Sequence, residues 1–428
     1  MQHQSQPLTG NASAADQMVL RRHNLGLVLR HIRDLGPHSR AKIATSTGLN
    51  KATVSSLVTE LSERGLVRDG SLERGNVGRP GHTIELDGAT VCGIGAEVNV
   101  NHVEVLALDL RGTVVAEKRS SLDTARLDPD EVLDRLAQLI HEATDEVLAR
   151  DARTVGLTLG VAGLVDRGAG VLAVGPNLGW HDVPVADLVH QRLDRPAYPL
   201  LVDNEANLAA MAEAAALPEG DRADVLVLVG EAGVGGGIVS GGRLLRGAQG
   251  FAGEIGHMRV DPQGRRCGCG RTGCWETVAG LRALLSAAAD PDDPIQDPAL
   301  GLEDRLAELN RRAELGDART LAALHQVGGW VGRGAATLVN VLNPKVLVLG
   351  GYFAVVGGWM LDGIRDELAA GSIAPRAGDC RVELSTLGFT AAVRGGAQVA
   401  LDSVFTDPTQ VPRRSADRSA DLMEGATR

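Results

Sequence analysis

The chain has 428 residues, 44% hydrophobic and 23% charged, the balance of a globular protein with a sizeable core, and length for about three folding units. Its net charge of -11 is unevenly spread: Arg21 to Gly81 holds eleven Lys/Arg against five Asp/Glu, a formal +6 that leaves -17 for the rest, so a small block suited to a polyanion joins a large acidic body. Every apolar stretch is broken short of the roughly 20 residues of a membrane-spanning helix, which excludes that class, and five cysteines in so long a chain exclude a disulfide scaffold.

Residues 1–20 are polar and aperiodic and read as a flexible tail; they carry no basic-then-apolar secretory pattern, and the expected location is the cytoplasm. Residues 21–86 read as a winged helix-turn-helix. Leu25, Val28, Leu29, Ile32 and Leu35 fall at helical spacing up to Gly36-Pro37, and Ser39 is placed to cap a short helix with Ile43 and Ala44 inside. After Gly48, Asn50 can cap a second helix with the apolar stripe Val54, Leu57, Val58 and Leu61. Leu66 to Arg68 and Thr83 to Leu86 then make a hairpin whose long tip contains Gly78-Arg79-Pro80, either a DNA-contacting wing or a rigid linker.

A capped second helix exposing small polar and basic residues at its start is what major-groove reading requires. Asn50, Lys51, Thr53, Ser55 and Ser56 are the candidate base readers, and Ser39, Arg40 and Arg74 or Arg79 the candidate phosphate contacts. The competing reading is a solvated helical bundle; the local +6 charge favours double-stranded DNA.

Residues 90–405 form the body, and 406–428 read as a second flexible tail. A hairpin is expected within Val91 to Gly112, then a helix from Pro129 to Arg150, a buried strand from Thr154 to Val161, and a strand at Leu200 to Val202 leading into a helix from Asn204 to Ala216. Strands follow at Val225 to Val229 and Gly237 to Val239, a helix at Leu281 to Ala289, an exposed loop at Asp290 to Pro298, and a helix from Leu321 to Val341 before the strand Val346 to Leu349. Alternating strands and helices predict an α/β body of two lobes.

His257, Cys267, Cys269 and Cys274 supply an imidazole and three thiols in a glycine-rich segment, the donor set of a closed, structural zinc site; a group of inert reduced cysteines is the alternative. Cys92 and Cys380 lie apart and read as small core residues.

Gly253-Glu-Ile-Gly-His257, followed by Cys267-Gly-Cys-Gly-Arg-Thr-Gly-Cys274-Trp-Glu276, resembles the signature of the ROK family (repressors, open reading frames and sugar kinases). Asp203-Asn-Glu-Ala-Asn207, Gly163-Leu-Val-Asp166 and Pro176-Asn-Leu-Gly-Trp180 resemble further family motifs in the expected order, and Asp203 to Asn207 with Ser39 to Ala44 is especially similar to its xylose-repressor branch. The resemblance spans residues 21 to about 400. It implies an actin-like, two-lobed body of the sugar-kinase, RNase H-like kind, with the zinc segment at 257–276. It also implies a sugar pocket formed by Asn177, Asn204, Glu205, Glu254, His257 and Glu276. Carboxylates and amides suit that task independently, because each sugar hydroxyl both donates and accepts a hydrogen bond. Taken singly, Asn204 and Glu254 could equally be helix caps or surface groups.

Against the family's kinases the chain departs in three places. Their Asp-x-Gly-Gly-Thr is here Glu97-Val-Asn-Val-Asn101, so side chains would block backbone approach to a phosphate. Their Gly-Thr-Gly-x-Gly is here Glu231-Ala-Gly-Val-Gly235, which puts a carboxylate where a polyphosphate would sit; Gly233 and Gly235 to Gly237 read as an inherited turn. Their catalytic Asp is here Glu205, displaced by about 1 Å. The expectation is therefore a sugar-responsive transcriptional regulator, most simply a repressor of carbohydrate genes, with no catalytic residue and structural zinc as its cofactor. It would act as a homodimer or homotetramer on operator DNA, with xylose, then glucose or N-acetylglucosamine, as effector. The alternatives are a bifunctional sugar kinase and a regulator that answers to a protein partner.

Overall fold

In the computed structural model, which describes residues 14–72, 82–297, 300–373 and 380–414, the first element is α1 (Ala14–Leu35). The expected tail at 1–20 is thus corrected: from Ala14 the chain is already helical. No buried stripe marks this start, since Met18, Val19 and Leu20 are exposed and the inward-facing run begins at Leu25. That run packs with Ile43 and Ala44 of α2 (Arg40–Thr47) and with Val54, Leu57, Val58 and Leu61 of α3 (Lys51–Glu63) in one core, while Leu35 turns outward. Asn50 caps α3, its Oδ1 accepting from the Thr53 amide at 2.7 Å. Ser39 occupies the N-cap position of α2 without a side-chain capping bond.

The hairpin has a third strand: β1 (His38–Ser39), β2 (Val67–Leu72) and β3 (His82–Leu86) form an antiparallel sheet in the order β1-β3-β2. The tip, with Arg74 and Arg79, lies outside the described residues.

The first lobe begins with the meander β4 (Val91–Val98), β5 (His102–Asp109) and β6 (Val114–Ser121). Helix α4 (Pro129–Leu148) starts on a capping box between Asp128 and Glu131 and buries a stripe from Val132 to Val147. After β7 (Arg153–Val161), a small antiparallel sheet of β8 (Leu164–Asp166), β9 (Val171–Gly175) and β10 (Trp180–Val183) leads to α5 (Val185–Arg192), β11 (Leu200–Asn204) and α6 (Glu205–Ala216). The main sheet runs β11-β7-β4-β5-β6, parallel in its first three strands and antiparallel across the meander.

The second lobe holds the sheet β14-β13-β12-β15-β16, built from β12 (Val225–Gly230), β13 (Val234–Ser240), β14 (Arg243–Leu244), β15 (Val346–Gly351) and β16 (Arg381–Leu384). Around it lie α7 (Glu276–Ala279), α8 (Leu281–Ala288), α9 (Leu302–Glu314), α10 (Ala318–Leu342), α11 (Tyr352–Val356) and α12 (Leu361–Gly371). Gly235, Gly236 and Gly237 lie within β13 and form no turn. A Cβ on Gly237 would meet that of Ala210 at 2.3 Å, so the missing side chain lets α6 sit directly on the strand. The segment from Asp290 is more than an exposed loop: Ile295 is buried in a short helical turn and Asp293 pairs with Arg312 at 2.8 Å.

Helix α13 (Ala391–Thr406) crosses back onto β4, β7 and α6 and ends against α1, where Arg30 donates to the Phe405 carbonyl at 2.9 Å. The second expected tail is corrected as well. Val411 is buried, Arg64 donates to the carbonyls of Thr409 and Val411, and Arg413 pairs with Glu63 at 2.9 Å, so residues 406–414 strap the body to the N-terminal domain. Residues 415–428 and 1–13 lie outside the described residues.

Candidate functional site

One cleft between the lobes gathers side chains from distant parts of the chain. Asn204 ends β11 and caps α6, its Oδ1 accepting from the Asn207 amide at 3.0 Å. Its Nδ2 donates to the Gly163 carbonyl at 3.1 Å and to Glu205 Oε2 at 2.6 Å. Asn204 is therefore both a cap and a wall of the cleft. Asn177, from the turn between β9 and β10, donates from Nδ2 to Glu276 Oε2 at 3.3 Å, and Glu276 opens α7. Glu254 and His257 flank a short helical turn, with His257 Nε2 3.9 Å from Glu254 Oε2 and Nδ1 3.5 Å from Glu276 Oε1. All six residues expected in the pocket, Asn177, Asn204, Glu205, Glu254, His257 and Glu276, line this one cleft.

The cleft lining is acidic. Glu231, at the turn between β12 and β13, and Asn99, beyond β4, complete the lining. Burial and the nearby Glu97 push Glu205 well above the usual carboxylate range; burial, Glu97 and Glu205 do the same to Glu231. Carboxyls raised in this way hold their protons to higher pH than exposed ones, and a protonated carboxyl can donate as well as accept. Asn99 is itself buried, donating to Glu97 Oε1 at 2.7 Å and accepting from the Val100 amide at 2.7 Å, so side chains fill the space under the start of this turn.

Glu231 lines the cleft and Glu97 backs it through Asn99, roles that their reading as lost phosphate motifs does not supply, and Asp203 does more than open the Asp203–Asn207 motif. Asp203 is buried and held by Arg167 at 3.1 Å and Arg246 at 2.8 Å, with Oδ1 receiving the Asn204 amide at 2.9 Å. It fixes the backbone that presents Asn204. Two arginines far from it in sequence supply this role, so no local motif announces it.

His257, Cys267, Cys269 and Cys274 offer four donor atoms within 4.8 Å of one another. Cys267 Sγ lies 3.6 Å from His257 Nδ1, and Cys269 and Cys274 Sγ are 3.6 Å apart. A tetrahedral ion with metal–sulfur bonds of about 2.3 Å needs donors about 3.5–3.8 Å apart, so the set fits such an ion with little movement. Cys92 is fully buried in the first lobe, and Cys380 packs partly buried against the second.

On the N-terminal domain, Asn50, Lys51, Ser55 and Ser56 are exposed and Thr53 is half-buried at the start of α3. Ser56 Oγ accepts from Arg21 Nη2 at 3.3 Å. Arg40 reaches Asp69 of β2 at 3.3 Å, while Ser39 pairs with Thr83 in the sheet. The expected readers thus share the start of α3, Ser39 and Arg40 stand at the start of α2, and Arg79 lies outside the described residues.

No helix among the described residues is long and apolar enough to cross a membrane. The profile of the MarR family matches residues 23–69, the helix-turn-helix, and that of the ROK family matches residues 92–403. The xylose repressor of Caldicellulosiruptor bescii is 29% identical over 401 residues, which cover 91% of this chain and 98% of that protein. A crystal structure of a ROK family transcriptional regulator, a homologue of the Escherichia coli MLC protein, has the same fold, with a TM-score of 0.72 over 90% of this chain and 97% of that one at 23% identity. A ROK family glucokinase from Streptomyces griseus, solved with glucose and AMPPNP, matches 73% of this chain and 99% of its own at 27% identity and a TM-score of 0.63. The two-lobed body is thus the actin-like sugar-kinase fold with a helix-turn-helix region before it, and the chain belongs to the ROK family.

Proposed function

We propose that this chain is a sugar-responsive repressor that binds double-stranded operator DNA through its N-terminal domain and takes a monosaccharide between its lobes. One observation carries this reading: six amide, imidazole and carboxyl side chains converge on the cleft, and Glu231 adds a further carboxyl to its lining. The set suits hydroxyls, and no lysine or arginine stands among the described residues lining the cleft to meet a polyphosphate. The body acts as a sensor and not as a kinase. Xylose is the leading effector, in keeping with the xylose repressor that matches nearly the whole chain; glucose and N-acetylglucosamine follow.

Lys51, Thr53, Ser55 and Ser56, with Asn50, would read base edges in the major groove, and Ser39, Arg40 and Arg79 would contact phosphates. His257, Cys267, Cys269 and Cys274 would hold a structural zinc whose chemistry is to fix the loop carrying Glu254, His257 and Glu276. A helix-turn-helix protein reading an inverted repeat acts as a dimer or a pair of dimers, and we place it in the cytoplasm.

The test uses the full-length protein. Duplexes selected from a random pool are titrated by fluorescence anisotropy with and without xylose, glucose or N-acetylglucosamine. Enrichment of an inverted repeat, with affinity changed by one of the sugars, supports the reading. No sequence-specific binding, or ATP-dependent sugar phosphorylation at about 1 to 1,000 per second, overturns it.

A further inference from the structure

A second group of potential metal ligands stands in the first lobe, on strands apart from the Cys/His loop. Glu97 on β4 faces Glu104 on β5 in register, and His102 lies two residues before Glu104, so all three share one face of the sheet. His102 Nε2 is 3.9 Å from Glu97 Oε2 and 3.8 Å from Glu104 Oε2. The three residues offer one donor atom each, all within 4.8 Å of one another, and each residue is 1% exposed.

Their hydrogen bonding is incomplete. Asn99 satisfies Glu97 Oε1, but Glu97 Oε2, Glu104 Oε2 and both ring nitrogens of His102 have no hydrogen-bond partner among the described residues. Buried polar groups left this way are costly, and buried carboxylates more so unless a cation meets them. Arg119 comes only to 3.8 Å of Glu104 Oε2 and is engaged with Glu303 of α9 at 2.8 Å. Burial and the neighbouring Glu97 push the Glu104 carboxyl up to about 8, which registers the same shortage of positive charge.

We propose that Glu97, His102 and Glu104 bind a divalent first-row transition-metal ion, at a site separate from the Cys/His cluster. One imidazole with two carboxylates is a mixed nitrogen and oxygen set that suits Zn²⁺, Mn²⁺, Fe²⁺ or Co²⁺; Ca²⁺ and Mg²⁺ prefer oxygen alone and more of it. Donors about 2.1 Å from a tetrahedral ion stand about 3.4 Å apart, so the observed spacings need only a few tenths of an ångström of side-chain movement for the two close pairs. The ion meets both otherwise unpaired carboxylate oxygens and one ring nitrogen. Glu104 approaches the arginine that reaches Glu303 in the second lobe, and Glu97 holds Asn99 at the cleft wall. Occupancy of the site therefore bears on how the lobes meet.

Cobalt titration of the metal-stripped full-length protein tests this, because the two sites give different spectra. Binding at the Cys/His cluster produces thiolate-to-cobalt charge-transfer absorption; binding at the nitrogen and oxygen site produces only weak ligand-field bands. Wild-type protein should take up two equivalents. H102N and E104Q should lose the equivalent without charge transfer, or bind it at least tenfold more weakly, while the thiolate band persists and shows that each variant still folds around the first site. Uptake of a single equivalent by wild type, or an unchanged second equivalent in both variants, overturns the proposal.

Discussion

Cys267 Sγ lies 2.8 Å from Glu276 Oε1, and the other oxygen of that carboxylate accepts from Asn177 across the cleft. The Cys/His cluster and the cleft therefore share a side chain, and His257 belongs to both. Losing an ion from the cluster would free the loop that aims Glu254, His257 and Glu276.

Cys269 tests this coupling because it lies in the cluster and does not line the cleft. C269S should lose the ion and lower thermal stability, since ion binding at such a site is coupled to folding. Monosaccharide affinity should fall at least tenfold, about 1.4 kcal/mol. Elemental analysis with calorimetric sugar titration checks it. Metal loss with unchanged sugar affinity would mean that the cluster does not shape the cleft.

Lys51 and Thr53 are the next targets. K51A and T53A should each cost about 1–3 kcal/mol of operator binding and relax specificity at the base each reads. Sugar affinity should be unchanged in both, because α3 and the cleft share no residue. Anisotropy titrations at several salt concentrations measure these effects, and full operator affinity in both variants would remove α3 as the reading helix.

Glu60 gives a pH prediction. It is nearly buried on α3 and receives Arg64 Nη2 at 2.8 Å and Arg21 Nε at 2.7 Å. Burial alone would raise its pKa, but the bonds from Arg64 and Arg21 outweigh it and hold the carboxyl below its usual range. A folded-state pKa below the unfolded value adds stability that is present above about pH 4.3 and is lost as pH falls through the folded value. E60Q should destabilise the protein by about 1–3 kcal/mol at neutral pH and flatten the stability profile below about pH 4.5. Thermal melts between pH 3 and 7 decide it; parallel profiles for the two proteins would contradict the assignment.

Much of this could be read from the residues. Asn50 followed by Val54, Leu57, Val58 and Leu61 announces α3 because cap and stripe agree. The six cleft residues come together as expected, although their contacts with a sugar rest on the experiments above. Helix α9 has no counterpart among the predicted elements although Leu302, Leu306 and Leu309 carry a helical stripe: the charged residues between them and the preceding Asp/Pro-rich stretch dilute the signal. Helix α13 has no counterpart among the predicted elements: Gly395 and Gly396 weaken its helical pattern, yet a Cβ on Gly395 would meet the Leu208 carbonyl oxygen at 2.0 Å, so the gap serves helix packing, which no local pattern reports. The charges that hold Asp203 and the grouping of Glu97 with His102 and Glu104 are products of tertiary structure, visible only once the sheet is in register.

The last prediction concerns how the cleft speaks to the DNA-binding domain. Helix α13 lies on β4 and α6, the elements that lead into the cleft, and its far end packs on α1, where Arg33 stacks on Phe405 at 4.5 Å. The strap from Thr409 to Arg414 adds bonds to Arg64 and Glu63. We predict that α13 transmits a change in lobe angle to the DNA-binding domain, with the carboxy-terminal segment holding the reader to it. A sugar shifts the equilibrium only by as much as it prefers one lobe arrangement, and a typical coupling of about 1–3 kcal/mol changes operator affinity about 5- to 150-fold. Linkage requires operator DNA to change sugar affinity by the same factor. Removing residues 408–428 should leave sugar affinity without DNA intact and shrink that factor, since the strap touches α3 and not the cleft. Calorimetric titration of the sugar with and without operator, on both chains, measures it. Equal sugar affinity in the two conditions for the intact chain would mean that the sugar is not the effector, and an undiminished factor in the shortened chain would assign the coupling to α13 alone.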